Sequence, residues 1–304
     1  MKILALQGGG CRGKAQAVAL RELELNGPTP LWQRFGLVGG TSVGAIIGAA
    51  VAIGLPMKSV NDFFDEAAPK IFARSAWNSL RQLWGAKYSS VMLEAALQNI
   101  FGTHTLADCK TKFICTAFDT ASGRNVYFQN YGLTVNGADE IIFGADSPMM
   151  NFPLWQIVRA SASAQTYFPA CQIADMALID GGNTGSAAPD MICLSEALEQ
   201  GAPLAEIQIL SLGTGAARWA GGALVNPGIL QAGLATLNIL FSGTNANEVW
   251  QAASVLGSNH CRLDPQLAQN YALDDASPTT LSGLEIAMET ELARHLELIK
   301  PFTA

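Results

Sequence analysis

Residues 2–55 contain, twice in succession, a short apolar run that breaks on glycines and gives way to a helical pattern. Residues 2–7 are mainly apolar, break at Gly8-Gly9-Gly10, and lead into an Ala-, Leu- and Glu-rich segment from Lys14 to Leu25 that stops at Asn26-Gly27-Pro28. Phe35 to Val38 is apolar again, breaks at Gly39-Gly40, and leads into the almost wholly apolar stretch Val43 to Leu55. A helix-length crossover returns the chain parallel to the strand it left, so two such units in a row predict a mainly parallel sheet covered by helices. The expectation is an α/β fold in three layers, α/β/α.

Further strands are expected at Lys112 to Phe118, Asn125 to Phe128, Ala177 to Ile179 and Ile207 to Leu212, each rich in β-branched or aromatic residues and ended by Gly, Asp or Ser. Helical spacing marks Ser90 to Ile100, Ser195 to Gln200 and Leu284 to Ile299. No repeat or low-complexity linker divides the 304 residues, so one domain is expected. With 49% hydrophobic and 14% charged residues there is ample material for its core.

Gly40-Thr41-Ser42-Val43-Gly44 fits the nucleophile elbow G-x-S-x-G, in which a sharp strand-to-helix turn lifts a serine hydroxyl off the sheet. With 30 glycines in 304 residues the pattern arises easily by chance. Its weight comes from lying between an expected strand and an expected helix, the context the elbow requires. Gly8-Gly9-Gly10-Cys11-Arg12-Gly13 satisfies G-x-G-x-x-G, which also fits a dinucleotide loop, but that reading needs an acidic residue at the end of the second strand. Here the second strand runs into Gly39-Gly40 and the serine. The other role for such a turn is an oxyanion hole, backbone N–H groups at a helix start aimed at a developing negative oxygen. Asp180, in Leu178-Ile179-Asp180-Gly181-Gly182, follows an apolar run and can act as the base that a serine nucleophile needs. An aspartate before glycines also caps turns, and that reading stays open.

These landmarks, in this order, resemble the patatin-like phospholipase family. Gln7 to Gly13 is similar to its glycine-rich oxyanion loop, Gly40 to Gly44 to its elbow, and Asp180-Gly181-Gly182 to its D-G-[GA] motif. Arg159-Ala160-Ser161-Ala162-Ser163-Ala164-Gln165-Thr166-Tyr167-Phe168-Pro169 resembles its A-S-x-A-x-P-x-x-F-P stretch, and Ser211-Leu212-Gly213-Thr214-Gly215 its S-L-G-T-G strand end. The likeness covers residues 1–215 and continues more weakly to Asp264. Two departures stand out: Gln7 replaces an acidic or small residue, and Ser186-Ala187-Ala188-Pro189 replaces Asn-Asn-Pro. The resemblance implies a Ser42–Asp180 dyad without histidine, an oxyanion hole from Gly8, Gly9, Gly10, Arg12 and Gly13, and turn glycines at 40, 44, 181 and 182. It further implies hydrolysis of lipid acyl esters through an acyl-enzyme, with no catalytic metal or cofactor.

Two other readings remain open at this stage. Ser42, Asp180 and His260 occur in the chain order of an α/β-hydrolase triad. A catalytically silent lipid- or nucleotide-binding protein could keep the glycine loops for anions. The net charge of −7 argues against a nucleic-acid polymer as partner, because backbone binding needs clustered Lys and Arg. The six cysteines, at 11, 109, 115, 171, 193 and 261, show neither C-x-x-C pairs nor metal spacing and suit a reducing cytoplasm. No apolar stretch reaches the ~18 residues of a membrane span. The expectation is therefore a cytoplasmic enzyme acting on phospholipid at a membrane surface. Such an enzyme needs restraint, expected from a cover at 68–86 or 218–257, from assembly as a homo-oligomer, or from a cyclic nucleotide activator like those of some bacterial anti-phage relatives.

Overall fold

The computed structural model describes residues 1–73, 85–215 and 246–303. Among them, ten strands build one mixed sheet: β1 Lys2–Leu6, β2 Leu37–Thr41, β3 Lys112–Asp119, β4 Arg124–Gln129, β5 Val135–Asn136, β6 Glu140–Phe143, β7 Cys171–Ile173, β8 Met176–Asp180, β9 Gln208–Leu212 and β10 His260–Leu263. The order is β10-β9-β1-β2-β3-β4-β6-β5, with β8 on β3 and β7 on β8. The five strands from β10 to β3 are mutually parallel, as the paired strand–turn–helix units predict.

Side chains alternate across a strand, and β1 shows how this makes two cores. Leu4 and Leu6 point into a large cluster with Val18, Ile47, Leu154 and Leu284, from the helices Lys14–Leu25, Val43–Ile53, Leu154–Ser161 and Pro278–Arg294. Ile3 and Ala5 point the other way, to Cys193, Leu194 and Ala197 of the helix Asp190–Glu199 and to Leu256. Helices on both faces of one sheet give the expected three layers. Burying a Leu-sized side chain contributes roughly 1.5–3 kcal/mol, so these two cores dominate the fold's stability.

Strand β2 runs through Gly39 and Gly40 instead of stopping before them. A methyl at Gly39 would lie 2.1 Å from Cys193 Sγ, so the glycine lets the Asp190–Glu199 helix sit directly on the strand. The last helical pattern also differs from expectation: the backbone breaks at His295, separating Pro278–Arg294 from Leu296–Ile299. Of the expected cover segments 68–86 and 218–257, residues 74–84 and 218–245 lie outside the described residues. No helix among the described residues is long and apolar enough to cross a membrane.

The feature that matters most for chemistry is on one flank of β3. There β2 pairs in parallel from Leu37↔Lys112 to Thr41↔Thr116, and β8 pairs antiparallel from Leu178↔Asp119 to Asp180↔Ala117. The other flank is taken by β4. So β2 and β8 occupy consecutive stretches of the same flank, run toward each other, and end face to face between Thr116 and Ala117.

Candidate active site

At that meeting point the chain leaves β2 in a tight turn. Ser42 has φ 58° and ψ −124°, a conformation that costs a non-glycine residue roughly 1–3 kcal/mol and persists only where its surroundings enforce it. The flanking glycines do the enforcing. A methyl on Gly40 would lie 2.3 Å from the Gly44 carbonyl oxygen, and one on Gly44 would lie 2.2 Å from the Leu6 carbonyl oxygen. The Ser42 N–H donates to Oγ of buried Ser161 at 2.9 Å, fixing the turn from the Arg159–Pro169 stretch. That role was not readable in the sequence, where Ser161 stands out only as part of a family-like stretch.

Asp180 closes β8 opposite Ser42. Its Oδ1 accepts the Gly182 N–H at 2.8 Å, so the turn-capping role is real, and Oδ2 has no hydrogen bond of regular geometry. Burial pushes its pKa up to about 7, against the Ser42 hydroxyl and the Gly182 N–H, which favour the charged form. The hydroxyl therefore lies within reach of the carboxylate. Behind the pair, Thr116 Oγ1 and Thr41 Oγ1 are 2.9 Å apart, and Thr41 donates to the Ser186 carbonyl at 2.6 Å. Gly181 must be glycine because a methyl would sit 2.2 Å from Thr116 Oγ1.

The glycine loop divides its labour. The Gly8 N–H donates to the Ala187 carbonyl at 2.8 Å, which commits it to holding the loop and corrects its place among the oxyanion donors. The Ser186–Pro189 segment, the departure noted in the sequence, supplies that acceptor. Cys11 N–H donates to the Leu273 carbonyl at 2.7 Å. The N–H groups of Gly9 and Gly10 meet no acceptor among the described residues, and both glycines line the same cleft as Ser42 and Asp180. Gly10, at φ +56°, could not carry a side chain without meeting the Leu273 carbonyl. Arg12 lies outside the cleft wall, with its guanidinium desolvated and its pKa lowered by burial despite Asp264 nearby. Gly13 permits close packing, since a methyl would be 2.6 Å from Val43 Cγ2.

His260 is elsewhere. Its Nε2 lies 2.8 Å from Asp190 Oδ1, with both side chains almost fully buried. The register His260↔Ile209↔Ile3↔Leu37 sets it level with the start of β2. At ~4.8 Å between strands and ~3.3 Å per residue, that is roughly 14 Å across and 16 Å along the sheet from Ser42. The triad order in the sequence is thus not a triad in space. His104 and His295 pair with Asp108 and Glu291.

The cleft above the dyad encloses about 670 Å³ including its open mouth. Ile46, Phe63, Phe64, Phe72, Leu93 and Phe168 form much of its wall, with Ser42, Asp180 and Tyr167 as its polar side chains. Such a lining suits a hydrocarbon chain whose one polar group must be placed accurately.

With a pKa near 7, the Asp180 carboxyl acting as the base would have a kinetic consequence. Hydrolysis is expected to rise about tenfold per pH unit up to pH 7 and to level above it. A kcat/KM profile from pH 5 to 9 checks this, and a flat profile would assign the base to another group.

The sequence matches the family model "Patatin-like phospholipase" over residues 4–189. It is 27% identical over 278 residues to a cGAMP-activated phospholipase of Pseudomonas aeruginosa, covering 90% of this chain and 80% of that protein. It is 28% identical to a cUMP-AMP-activated phospholipase of Escherichia coli, over 60% of this chain and 54% of the relative. Patatin-17 of Solanum cardiophyllum is 27% identical over 70% of this chain and 60% of its own length. With elbow, aspartate and glycine loop at one cleft and the family model spanning them all, the chain belongs to the patatin-like phospholipase family and is a lipid ester hydrolase.

Proposed function

We propose that this chain cleaves acyl esters of membrane phospholipids with Ser42 as nucleophile and Asp180 as base, and that a cyclic dinucleotide raises its activity. The observation that carries the chemistry is the end-to-end meeting of β2 and β8 on the flank of β3, at the floor of an apolar cleft. Asp180 takes the Ser42 proton as Oγ attacks the ester carbonyl, and the N–H groups of Gly9 and Gly10 receive the oxyanion. The tetrahedral intermediate collapses, the leaving alcoholate takes the proton from Asp180, and an acyl-serine remains. Asp180 then removes a proton from water, which attacks the acyl-serine, and Ser42 is released with its proton restored. Each oxyanion donor contributes on the order of 10²- to 10³-fold in rate.

Regulation is proposed from the two bacterial relatives, which are named for activation by cGAMP and by cUMP-AMP. A ligand of this kind acts by binding the active form more tightly than the resting form. The test is fatty-acid release from mixed liposomes by purified protein, alone and with a panel of cyclic di- and trinucleotides. Release is expected in every case, with one cyclic dinucleotide raising it about 5- to 150-fold. Full activity without any addition would remove the regulatory half. No fatty acid from any lipid class would remove the phospholipid half, and failure of a fluorophosphonate to label Ser42 would favour a silent binding protein.

A further inference from the structure

Gln7 directly precedes the glycine loop and is not part of the cleft wall. Its backbone is fixed at β1's end: Gln7 N–H donates to the Leu212 carbonyl at 3.1 Å, and its own carbonyl accepts from Gln16 Nε2 at 2.8 Å. Its side-chain oxygen accepts a hydrogen bond from Arg262 Nη2, on β10 at the edge of the sheet. The same guanidinium donates to Ser211 Oγ at 2.8 Å and to Asp264 Oδ2 at 3.2 Å. Asp264 Oδ1 in turn accepts the Gly215 N–H at 2.9 Å.

These bonds explain the S-L-G-T-G stretch, which the dyad chemistry leaves without a role. Arg262 and Asp264 lie across the backbone of Gly213, where a methyl would be 2.1 Å from Asp264 Oδ1 and 2.6 Å from Arg262 Nη2. The turn so held presents fully buried Thr214 to the glycine loop. Thr214 Oγ1 donates to the Gly8 carbonyl at 3.3 Å and stands 2.3 Å from where a Gly9 side chain would begin. One guanidinium thus reaches the oxyanion loop by two routes, directly at Gln7 and through Asp264, Gly215 and Thr214 at Gly8 and Gly9. Both Arg262 and Asp264 lie beyond the residues 4–189 that the family model matches.

We propose that Arg262 is a positioning residue for the oxyanion hole, clamping Gln7 and the Ser211–Gly215 turn together so that the Gly9 and Gly10 N–H groups stay aimed at the reacting carbonyl. This rests on the hydrolytic role given to Ser42 and the loop. Arg262 touches no reacting atom. Its planar fork serves three acceptors at once, which a lysine ammonium on a flexible stem does not.

The test compares hydrolysis of a short-chain oxygen ester with that of its thiono analogue, in which sulfur replaces the carbonyl oxygen. N–H donors stabilise a developing O⁻ better than a developing S⁻, so a loosened hole loses more rate on the oxygen ester. Wild type, Gln7→Met, Arg262→Met, Arg262→Lys and the Gln7→Met/Arg262→Met double variant are compared, with active enzyme counted by fluorophosphonate titration to completion. Arg262→Met is expected to lower kcat on the oxygen ester by ~10- to 100-fold with KM within about threefold, and to lower the oxygen-over-sulfur preference. Gln7→Met leaves the Arg262 bonds to Ser211 and Asp264 in place, so it tests the clamp in a protein that keeps its fold. It is expected to shift the preference in the same direction by less, the double variant to be no worse than Arg262→Met, and Arg262→Lys to recover part of the loss. An unchanged preference in both single variants, or a loss explained wholly by fewer titratable sites, would overturn the proposal. Wild-type protein inactive on both esters would instead overturn the hydrolytic reading, and the clamp with it.

Discussion

Ser42→Ala is expected to lower ester hydrolysis by about 10⁴-fold or more, Asp180→Ala by a comparable factor, and His260→Ala by less than about threefold per folded molecule. The first two follow from a nucleophile and base that act as one unit, where losing either removes most of what both supply. The third follows from the separation of His260 from Ser42 and its pairing with Asp190. Removing that buried partner leaves Asp190 exposed to a desolvation cost of roughly 3–5 kcal/mol, so His260→Ala is to be assayed at low temperature with folding checked by circular dichroism. Activity is normalised to the protein that a fluorophosphonate labels. A folded His260→Ala as inactive as Ser42→Ala would sink the dyad.

Asp180→Asn should make the protein more stable as it makes it inactive. In the folded chain the Asp180 carboxyl holds its proton up to about pH 7, whereas an unfolded chain releases it near 3.9. The folded state is the better proton binder, so the carboxyl costs nothing below about pH 4, costs progressively more between pH 4 and 7, and costs a constant amount above that. At ~1.4 kcal/mol per tenfold change in proton affinity the full cost is about 4 kcal/mol. Asparagine keeps the acceptor for the Gly182 N–H and carries no charge to desolvate. The stabilisation in urea unfolding is therefore expected to approach 4 kcal/mol at pH 8 and to vanish near pH 4. Equal stabilisation at both pH values would show that the charge is not what costs.

Much of this site was legible in the sequence because its geometry is imposed locally. Gly40 and Gly44 are forced by contacts within the elbow and with β1, so their spacing survives as a readable pattern. Asp180-Gly181-Gly182 is readable for the same reason, since the Asp180 carboxylate accepts the Gly182 N–H two residues on. What could not be read is whatever depends on where distant segments arrive. An apolar run announces a strand and not its direction, so the antiparallel entry of β8 was invisible, as was the bond from Ser161 to the Ser42 backbone. Glycines normally end strands, and Gly39 and Gly40 continue β2 only because a helix and a turn lie against them. The His260 triad stayed open as an alternative for the converse reason, since order along the chain does not fix the strand or level a residue occupies.

The face-to-face ending of β2 and β8 also bears on when, during synthesis, the site can be put together. A ribosome releases Ser42 early, on a pair of neighbouring βα units whose contacts are close in sequence. Asp180 arrives only after residue 180 has emerged and β8 has docked on β3. The wedge behind the oxyanion loop arrives later still, when β9 closes on β1 across some two hundred residues, as in the pairing Lys2↔Gln208. A nascent chain thus presents Ser42 well before Asp180, the carboxylate proposed to activate it, has been made. A chain broken off before β9 is completed lacks the turn that backs the glycine loop.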